Sequence, residues 1–297
     1  DFEWISNSLK NRNYKFNNYQ QILINKGKNK YPRIVAKPTI RDKIVLYSIK
    51  EYFRINIKES IRKQPNEVID LIVNQIKTIN NFDDIILYKT DIKGFYDEIS
   101  KKILLQKLDI YLDKERDKHK ILDLLKNILD SEIIPFGTKK KSINYHPSKK
   151  GIPQGLSISN ILANLYMFDL DNYFNYLVEK KELIGYHRYV DDILIIVPRK
   201  KIKKTICKLK SKVANLELDL HINEKTETIN LKEKDLVFLG YVFKYKENFY
   251  SKHSKLNNLL IIPRDESKEN FFKSIMSMFS KYQKNISEIK RLSDEKE

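Results

Sequence analysis

The chain has 297 residues, of which 41% are apolar, enough to bury one large or two modest hydrophobic cores. Its net charge of +18 favours nucleic acid as a partner over an anionic membrane, and a lysine-rich surface that serves only solubility is the other explanation. One cysteine, Cys207, excludes a disulfide framework and a cysteine-based zinc site, and without a signal-peptide pattern or an apolar run of ~20 residues we expect a soluble, cytoplasmic protein with no membrane partner.

Residues 1–32 are polar and give no clear signal, so the predicted elements begin after them. Hydrophobic periodicity predicts a helix over 42–61, a helix over 66–79, a strand over 85–88 that ends near Asp91, a helix capped by Ser100, and a helix over 118–131. The basic segment 132–150 is predicted to be a loop or a hairpin.

The second half begins with a long amphipathic helix that starts near Ser159. The pattern then predicts a strand–turn–strand over 186–198, a helix over 200–215, a strand over 218–222, a hairpin over 236–250 and a helix over 267–284. Because helices and antiparallel strands mix without regular βαβ alternation, the predicted fold class is α+β.

Three aspartates stand at predicted strand ends. Asp191 and Asp192 lie between two β-rich runs, at the tip of the predicted strand–turn–strand, and Asp91 ends the strand over 85–88. Carboxylates from two strand ends can converge to hold two Mg²⁺ ions for phosphoryl transfer. Their mutual repulsion raises one pKa unless cations neutralise them. Taken alone, an Asp-Asp pair in a solvated turn is the commoner explanation.

Four short motifs change that balance. Their sequences, in chain order, are Asp91-Ile92-Lys93-Gly94-Phe95-Tyr96-Asp97, Gly151-Ile152-Pro153-Gln154-Gly155, Tyr189-Val190-Asp191-Asp192 and Phe238-Leu239-Gly240-Tyr241. In this order they resemble the motifs of bacterial reverse transcriptases, the group II intron type and its defence-associated relatives, over about residues 31–263. The resemblance implies a right-hand polymerase with fingers, an α+β palm and an incomplete thumb, which adds dNTPs to a primer end as an RNA-directed DNA polymerase.

The same resemblance implies a division of the chain into domains. The expected parts are fingers over 1–83, a first part of the palm over 84–110, a fingers or connecting insertion over 111–150, the rest of the palm over 151–265 and the start of a thumb over 266–297. Since one predicted helix follows the palm, either the chain is truncated there or its thumb comes from elsewhere.

Carried over position by position, the resemblance also assigns site residues. Asp91 and Asp191 would bind two Mg²⁺ ions with the backbone carbonyl of Ile92, and Asp192 would support them. Gln154 and Gly155 would lie beside the incoming nucleotide. Tyr96, the fifth residue after Asp91, matches an aromatic that blocks a ribose 2′-OH and so favours dNTPs over rNTPs. A core aromatic is the alternative interpretation of Tyr96.

Cations are assigned in the same way. Lys225 matches a lysine that protonates the leaving pyrophosphate, and Arg33 is expected on the triphosphate because a guanidinium fork suits phosphate oxygens. For Arg41 and one lysine among Lys26, Lys28 and Lys30, a general basic patch on the template is an equal explanation. The lysines in 139–141 and 149–150 are either backbone contacts or a solvated charge run.

The remaining singled-out residues have plainer alternatives. The segment 238–241 resembles a primer-grip hairpin, and an ordinary core hairpin explains it as well. His146 and His187 are interpreted as structural, since the histidines show no metal-ligand spacing.

One departure from the intron-type pattern suggests a subfamily. Intron-type enzymes usually follow the Gly155 loop with a Ser-Pro pair, whereas this chain has Ser159-Asn160, and the wording of 155–160 is closer to abortive-infection enzymes of bacterial antiviral defence. Expected partners are dNTPs, a DNA product, an RNA template or associated non-coding RNA, and a second copy or a companion protein. Open alternatives are an untemplated or protein-primed DNA polymerase, an RNA-synthesising polymerase, and an intron-type maturase or RNA-binding protein.

Overall fold

The computed structural model describes residues 2–25, 27, 31–58, 61, 63–79, 81–135, 148–221, 225–246 and 259–294. The helices are α1 (Phe2–Lys10), α2 (Ile40–Asn56), α3 (Pro65–Lys77), α4 (Phe95–Glu98), α5 (Lys101–Tyr111), α6 (Lys118–Asp130), α7 (Ser159–Glu179), α8 (Ile202–Ala214) and α9 (Asp265–Asp294). The strands are β1 (Tyr19–Ile24), β2 (Arg33–Lys37), β3 (Ile85–Asp91), β4 (Ile133–Ile134), β5 (Gly185–Tyr189), β6 (Asp192–Pro198), β7 (Glu227–Ile229), β8 (Leu236–Phe238), β9 (Tyr241–Tyr245) and β10 (Leu259–Pro263). The mixture confirms the α+β class.

The central sheet has the strand order β5-β6-β3-β7, and all its pairs are antiparallel. A second sheet, β10-β9-β8, is antiparallel as well. In the third sheet, β1 pairs with β2 antiparallel and with the short β4 parallel. The register of the central sheet places Asp91 opposite Asp192, so the predicted strand ends do meet.

The central sheet is covered on both faces, which explains its apolar run. Ile193, Ile195 and Val197 belong to a core shared with α5, α7 and α8, whereas Leu194 and Ile196 pack in a second core with α3 and the second sheet. Successive side chains of a strand point to opposite faces, so a strand buried on both sides is apolar throughout. This double packing holds the end of β6 in place.

Four predicted elements differ from those observed. Helix α2 ends at Asn56, short of residue 61, because the buried Ile57 leaves the helical conformation. Ser100 occupies the N-cap position of α5, but its side chain makes no capping bond. Helix α7 is not amphipathic in its first half, since the residues 161–167 are all buried between the sheet and α5. Helix α9 continues to Asp294, ten residues beyond the predicted end.

The predicted strand over 218–222 was wrong. Only Leu220 pairs, in an isolated bridge with Ile92, while β7 forms the edge of the central sheet beside residues 87–89. Both segments run along the same edge of β3, one after the other, so the alternating pattern of 218–221 did not need a full strand to be buried. Residue 222 lies outside the described part of the chain.

The predicted hairpin over 236–250 corresponds to β8 and β9, and β10 adds a third strand that the pattern did not indicate. Residues 247–250 lie outside the described part, as do 136–147 of the predicted basic loop. Among the residues described, no helix combines the length and the hydropathy needed to cross a bilayer.

Candidate active site

A two-residue turn joins β5 to β6 and carries the candidate site. Tyr189 pairs with Asp192, so Val190 and Asp191 are the two turn residues. Val190 has φ +60° and Asp191 does not have a positive φ, which is the pattern of a type II′ turn. A β-branched residue is strained in this region, and such strain persists only where the surroundings hold the backbone.

A buried ion pair holds that turn. The Arg188 guanidinium donates from Nε and Nη2 to the two carboxylate oxygens of Asp171, at 2.8 and 2.6 Å, and from Nη1 to the backbone oxygen of Val190 at 2.7 Å. The Tyr186 hydroxyl donates to the same carboxylate at 2.7 Å. Burial disfavours the charged form of Arg188, but Asp171 outweighs it and keeps the pKa of Arg188 above its usual value. The strained turn is therefore anchored to α7, which contains Asp171.

The three predicted carboxylates come together at this turn. The side chain of Asp91 is 7% exposed, and the backbone N–H of the next residue, Ile92, donates to the backbone oxygen of Asp191 at 3.0 Å. Lys225 Nζ lies 2.5 Å from Asp91 Oδ2. The other oxygen, Oδ1, is buried without a hydrogen-bond partner among the described residues, and His221 Nε2 lies 4.0 Å from it.

The electrostatics of the site show a shortage of positive charge. Burial, with the charges of Asp191 and Asp91, raises the pKa of Asp192 to about 6. Burial also raises the pKa of Asp191, an effect that Lys225 and Arg33 oppose. The hydrogen bond to Asp91 raises the pKa of Lys225. Two carboxyl groups with raised pKa values are stabilised in their charged forms by any added cation.

This chemistry fits a hard divalent cation. The site offers carboxylate oxygens, one of them buried and unpartnered, which are the ligands that Mg²⁺ prefers. Within the described ranges, no group of three or more His, Cys, Asp or Glu is gathered closely enough to hold a metal alone. A bound ion would therefore need water or phosphate oxygens to complete its ligands, which is usual for Mg²⁺.

The loop 151–155 brings a second predicted group toward the site. The backbone N–H of Ala36 donates to the backbone oxygen of Gln154 at 2.7 Å, so the loop is docked on β2. Gly155 has φ +96°, and a Cβ there would lie 2.3 Å from a methyl carbon of Val35. Only glycine permits this contact between the loop and the strand. The Gln154 side chain donates to Asp97 at 3.3 Å.

Tyr96 is half-buried and its hydroxyl is fixed. The ring packs edge-on against Phe95, and the hydroxyl donates to Asn160 Oδ1 at 2.5 Å. Sequence reasoning used Asn160 only to suggest a subfamily and missed this contact. The signal that could have found it is the departure from Ser-Pro itself, because an amide placed at a loop–helix boundary is free to accept a hydrogen bond.

The predicted cations are placed differently from one another. Arg33 is the exposed first residue of β2, and it is near enough to Asp191 to lower the pKa of that carboxyl. The Arg41 guanidinium instead lies over the Trp4 ring, 4.6 Å from its centroid. Lys150 pairs with Glu98 at 3.0 Å and Lys149 is exposed. The calls on Lys26, Lys28, Lys30, on residues 139–141 and on His146 lie outside the described residues.

The hairpin 238–241 has a sharply defined turn. Leu239 and Gly240 have φ +47° and +82°, the pattern of a type I′ turn, which glycine favours at its second position. The oxygen of Gly240 accepts from the backbone N–H of Arg264 at 2.8 Å and from the Ser267 hydroxyl at 3.3 Å. The turn is thus fixed against the start of α9.

His187 has the structural environment that its isolation in sequence indicated. It is buried, and its Nε2 lies 2.7 Å from Gln75 Oε1. Burial lowers the pKa of His187 to about 4, so the ring is neutral at pH 7.

Comparisons with known proteins agree with this geometry. A family model described as Reverse transcriptase (RNA-dependent DNA polymerase) matches residues 24–243. A search of curated protein sequences finds no match.

Among solved structures, the chain resembles telomerases of two Candida species. Apo telomerase of Candida tropicalis truncated from its C-terminal domain has a TM-score of 0.60 and 16% identity, over 84% of this chain and 55% of that chain. Telomerases in complex with a fragment of telomeric RNA give 0.57, 15%, 81% and 47% for Candida albicans, and 0.55, 19%, 86% and 50% for Candida tropicalis. The chain spans about half the length of these telomerase chains. At these identities the likeness shows the fold, a right-hand polymerase.

Proposed function

Because the chain belongs to the reverse transcriptase family, we propose that it is an RNA-directed DNA polymerase that adds dNTPs to a primer end. The observation that carries this proposal is the meeting of Asp91, Asp191 and Asp192 at one end of the central sheet, beside the docked loop 151–155. Telomeric RNA is bound in two of the similar structures, which supports an RNA template here.

In this proposal Asp91, Asp191 and the carbonyl of Ile92 hold two Mg²⁺ ions, and Asp192 supports them. Bound Mg²⁺ would supply the positive charge that stabilises the attacking and leaving oxygens in phosphoryl transfer. Arg33, on the same side as Asp191, binds the triphosphate. Gln154 and Gly155 contact the incoming nucleotide through a loop whose position β2 fixes. Arg41 stays a prediction, and its stacking on Trp4 gives it no support.

Lys225 has two roles in this proposal. In the free protein its ammonium neutralises Asp91, with Nζ 2.5 Å from Oδ2. More than half of its side chain is exposed, so it can leave that carboxylate when substrate binds. The ammonium then carries a proton that the leaving pyrophosphate accepts, as a general acid.

Sugar selection is assigned to Tyr96. A ring held at two points, by Phe95 and by the hydrogen bond to Asn160, is a firm obstacle to a ribose 2′-OH. A ring that could rotate away would exclude the extra hydroxyl less well. This supports dNTPs over rNTPs and argues against an RNA-synthesising polymerase.

The finer assignment is to a cytoplasmic bacterial enzyme of antiviral defence with an associated RNA. It rests on the wording of residues 155–160, and the Asn160 contact gives that departure from intron-type enzymes a physical role. The division into fingers, palm and thumb proposed from sequence is kept. An untemplated or protein-primed polymerase of the same fold, and an intron-type maturase, are the alternatives.

The test is synthesis by the purified chain with Mg²⁺ and each labelled dNTP, with and without an RNA template and a primer. Products are then treated with RNase and with protease. RNA-dependent DNA whose length follows the template supports the proposal. DNA made equally well without RNA, or product that protease shifts to smaller size, would favour the untemplated or protein-primed alternative.

A further inference from the structure

A strongly basic helix lies behind the central sheet. Between Asp192 and Glu217 the chain has eight lysines and arginines and no acidic residue. We call the exposed members of this set the α8 basic surface, and they are Arg199, Lys200, Lys203, Lys204, Lys210 and Lys212. The opposite side of α8, with Thr205, Leu209 and Val213, is buried. The surface is therefore a one-sided array of cations on a fixed helix.

These charges are not compensated within the described part of the chain, where Lys200, Lys203, Lys204 and Lys210 form no ion pair. Lysines on α6 differ, since Lys118 pairs with two aspartates at 3.0 and 3.1 Å. A lysine-rich composition alone would not separate the two helices in this way.

The arrangement is also unfavourable for the helix itself. Lys203 and Lys204 lie in the first turn of α8, at the positive end of its dipole, and that turn has no acidic residue. Lys204 and Lys208, and Lys208 and Lys212, are like charges four residues apart. Stability of the free protein therefore does not explain this pattern, whereas a polyanion laid along the helix would relieve it.

The geometry favours a phosphate backbone as that polyanion. Thirteen helical residues are about 20 Å long, over which a nucleic-acid strand presents several phosphates. Two aromatic rings border the surface, and Lys212 Nζ lies 4.4 Å from the centroid of Tyr173, beside the exposed Tyr176 on α7. A membrane-binding helix inserts an apolar face into the lipid, and the apolar face of α8 is already buried in the core.

The surface is separate from the candidate active site. Strand β6 begins at Asp192 and leads to Pro198, six residues and about 20 Å further on, where the basic segment starts. From these observations we propose that the α8 basic surface binds the sugar–phosphate backbone of a nucleic acid outside the catalytic centre. This goes beyond the proposed polymerase activity, and its test needs no catalysis.

Cys207 makes a direct test possible. It is the only cysteine of the chain, it is exposed, and it lies between Lys203 and Lys210 on the same face of α8. The full chain with Asp191→Asn is labelled there with benzophenone maleimide and irradiated with a labelled 40-nucleotide RNA or a duplex DNA. The proposal predicts a cross-link that unlabelled RNA competes away and polyglutamate does not. Absence of a cross-link, or equal competition by polyglutamate, would overturn it.

A second measurement separates local binding from net charge. One variant changes Lys200, Lys203, Lys204 and Lys210 to Gln. The matched control changes four exposed lysines elsewhere, Lys10, Lys102, Lys114 and Lys126, to Gln. The Kd for the 40-nucleotide RNA is measured at 50 and 200 mM salt. Each lost phosphate contact lowers the salt slope by about 0.7, so the ratio of the two Kd values shrinks about 50-fold for four contacts.

The control variant should leave that ratio unchanged. Equal effects of the two variants would contradict the proposal, because net charge alone would then explain them. Vesicles of phosphatidylcholine and phosphatidylserine provide the last arm. Vesicle binding that depends on the four α8 lysines, together with RNA binding that does not, would show a membrane surface instead.

Discussion

The strained turn that carries Asp191 depends on Arg188, and removing that guanidinium should damage stability and activity by different amounts. Arg188→Met leaves the Asp171 carboxylate and the Val190 oxygen without their donors. Breaking one side of a buried ion pair costs about 3–5 kcal/mol, a large part of a typical unfolding free energy of about 5–15 kcal/mol. Urea denaturation measures this loss.

Activity should fall for a second reason. The hydrogen bond from Arg188 to Val190 offsets a turn strain of about 1–3 kcal/mol. Without it Val190 relaxes and Asp191 moves. A displacement of about 1 Å in a reacting group can cost about 10²-fold in rate, so single-nucleotide addition should fall by that order.

A compensated variant separates the two effects. Arg188→Met combined with Asp171→Leu and Tyr186→Phe removes both charges and the hydroxyl that bonds to Asp171. Replacing a whole buried polar set with apolar groups is often neutral, so most of the stability should return. Nothing then holds the Val190 oxygen, and activity should stay low. A triple variant with both stability and activity restored would refute the anchoring role of Arg188.

Three further predictions use other contacts. Tyr96→Ala should relax discrimination against rNTPs by ~10- to 100-fold in competition assays, and Asn160→Ala by a smaller, ~2- to 10-fold factor; unchanged selectivity in both would remove the ring from sugar selection. Lys225→Met and Lys225→Arg should both slow incorporation by ~10²-fold or more, because neither donates a proton readily, whereas full activity of the Arg variant would leave Lys225 only an electrostatic role. The neutral His187, whose pKa is about 4 when folded and 6.5 in its unperturbed form, binds its proton less readily in the folded state, so stability is present above pH 6.5 and lost as pH falls toward 4. Between pH 7 and 5 this loss is about 2 kcal/mol, and His187→Gln should remove it from the urea denaturation profile; an equal loss in both proteins would contradict the assignment.

The sequence predicted the carboxylate centre well because its signals are local. The apolar run after Asp192 and the strand before Asp91 fix two strand ends, and the pairing of Asp91 with Asp192 followed once the strands joined one sheet. The helices α3, α6 and α8 were placed within a few residues for the same reason, since their apolar periodicity is regular.

What the sequence could not give depends on contacts between distant segments. β1 and β2 escaped notice because much of their hairpin is exposed, so no alternation appears. The Arg188–Asp171 pair joins a strand to a helix 17 residues earlier in sequence. A charged residue inside each of two mostly apolar elements was a usable signal, because such residues are rarely buried unless paired.

Substitution of the aspartates most directly tests the claim that this site carries out nucleotide transfer. Asp91→Asn and Asp191→Asn are compared with the wild type in addition of one dNTP to a primer annealed to RNA, with Mg²⁺ and excess protein. Asp169→Asn, on the surface of α7, is the matched control, and RNA affinity is measured for all four proteins. The account predicts a loss of ~10³-fold or more in both site variants, with RNA affinity and the control unchanged. Incorporation at the wild-type rate by either site variant would contradict it.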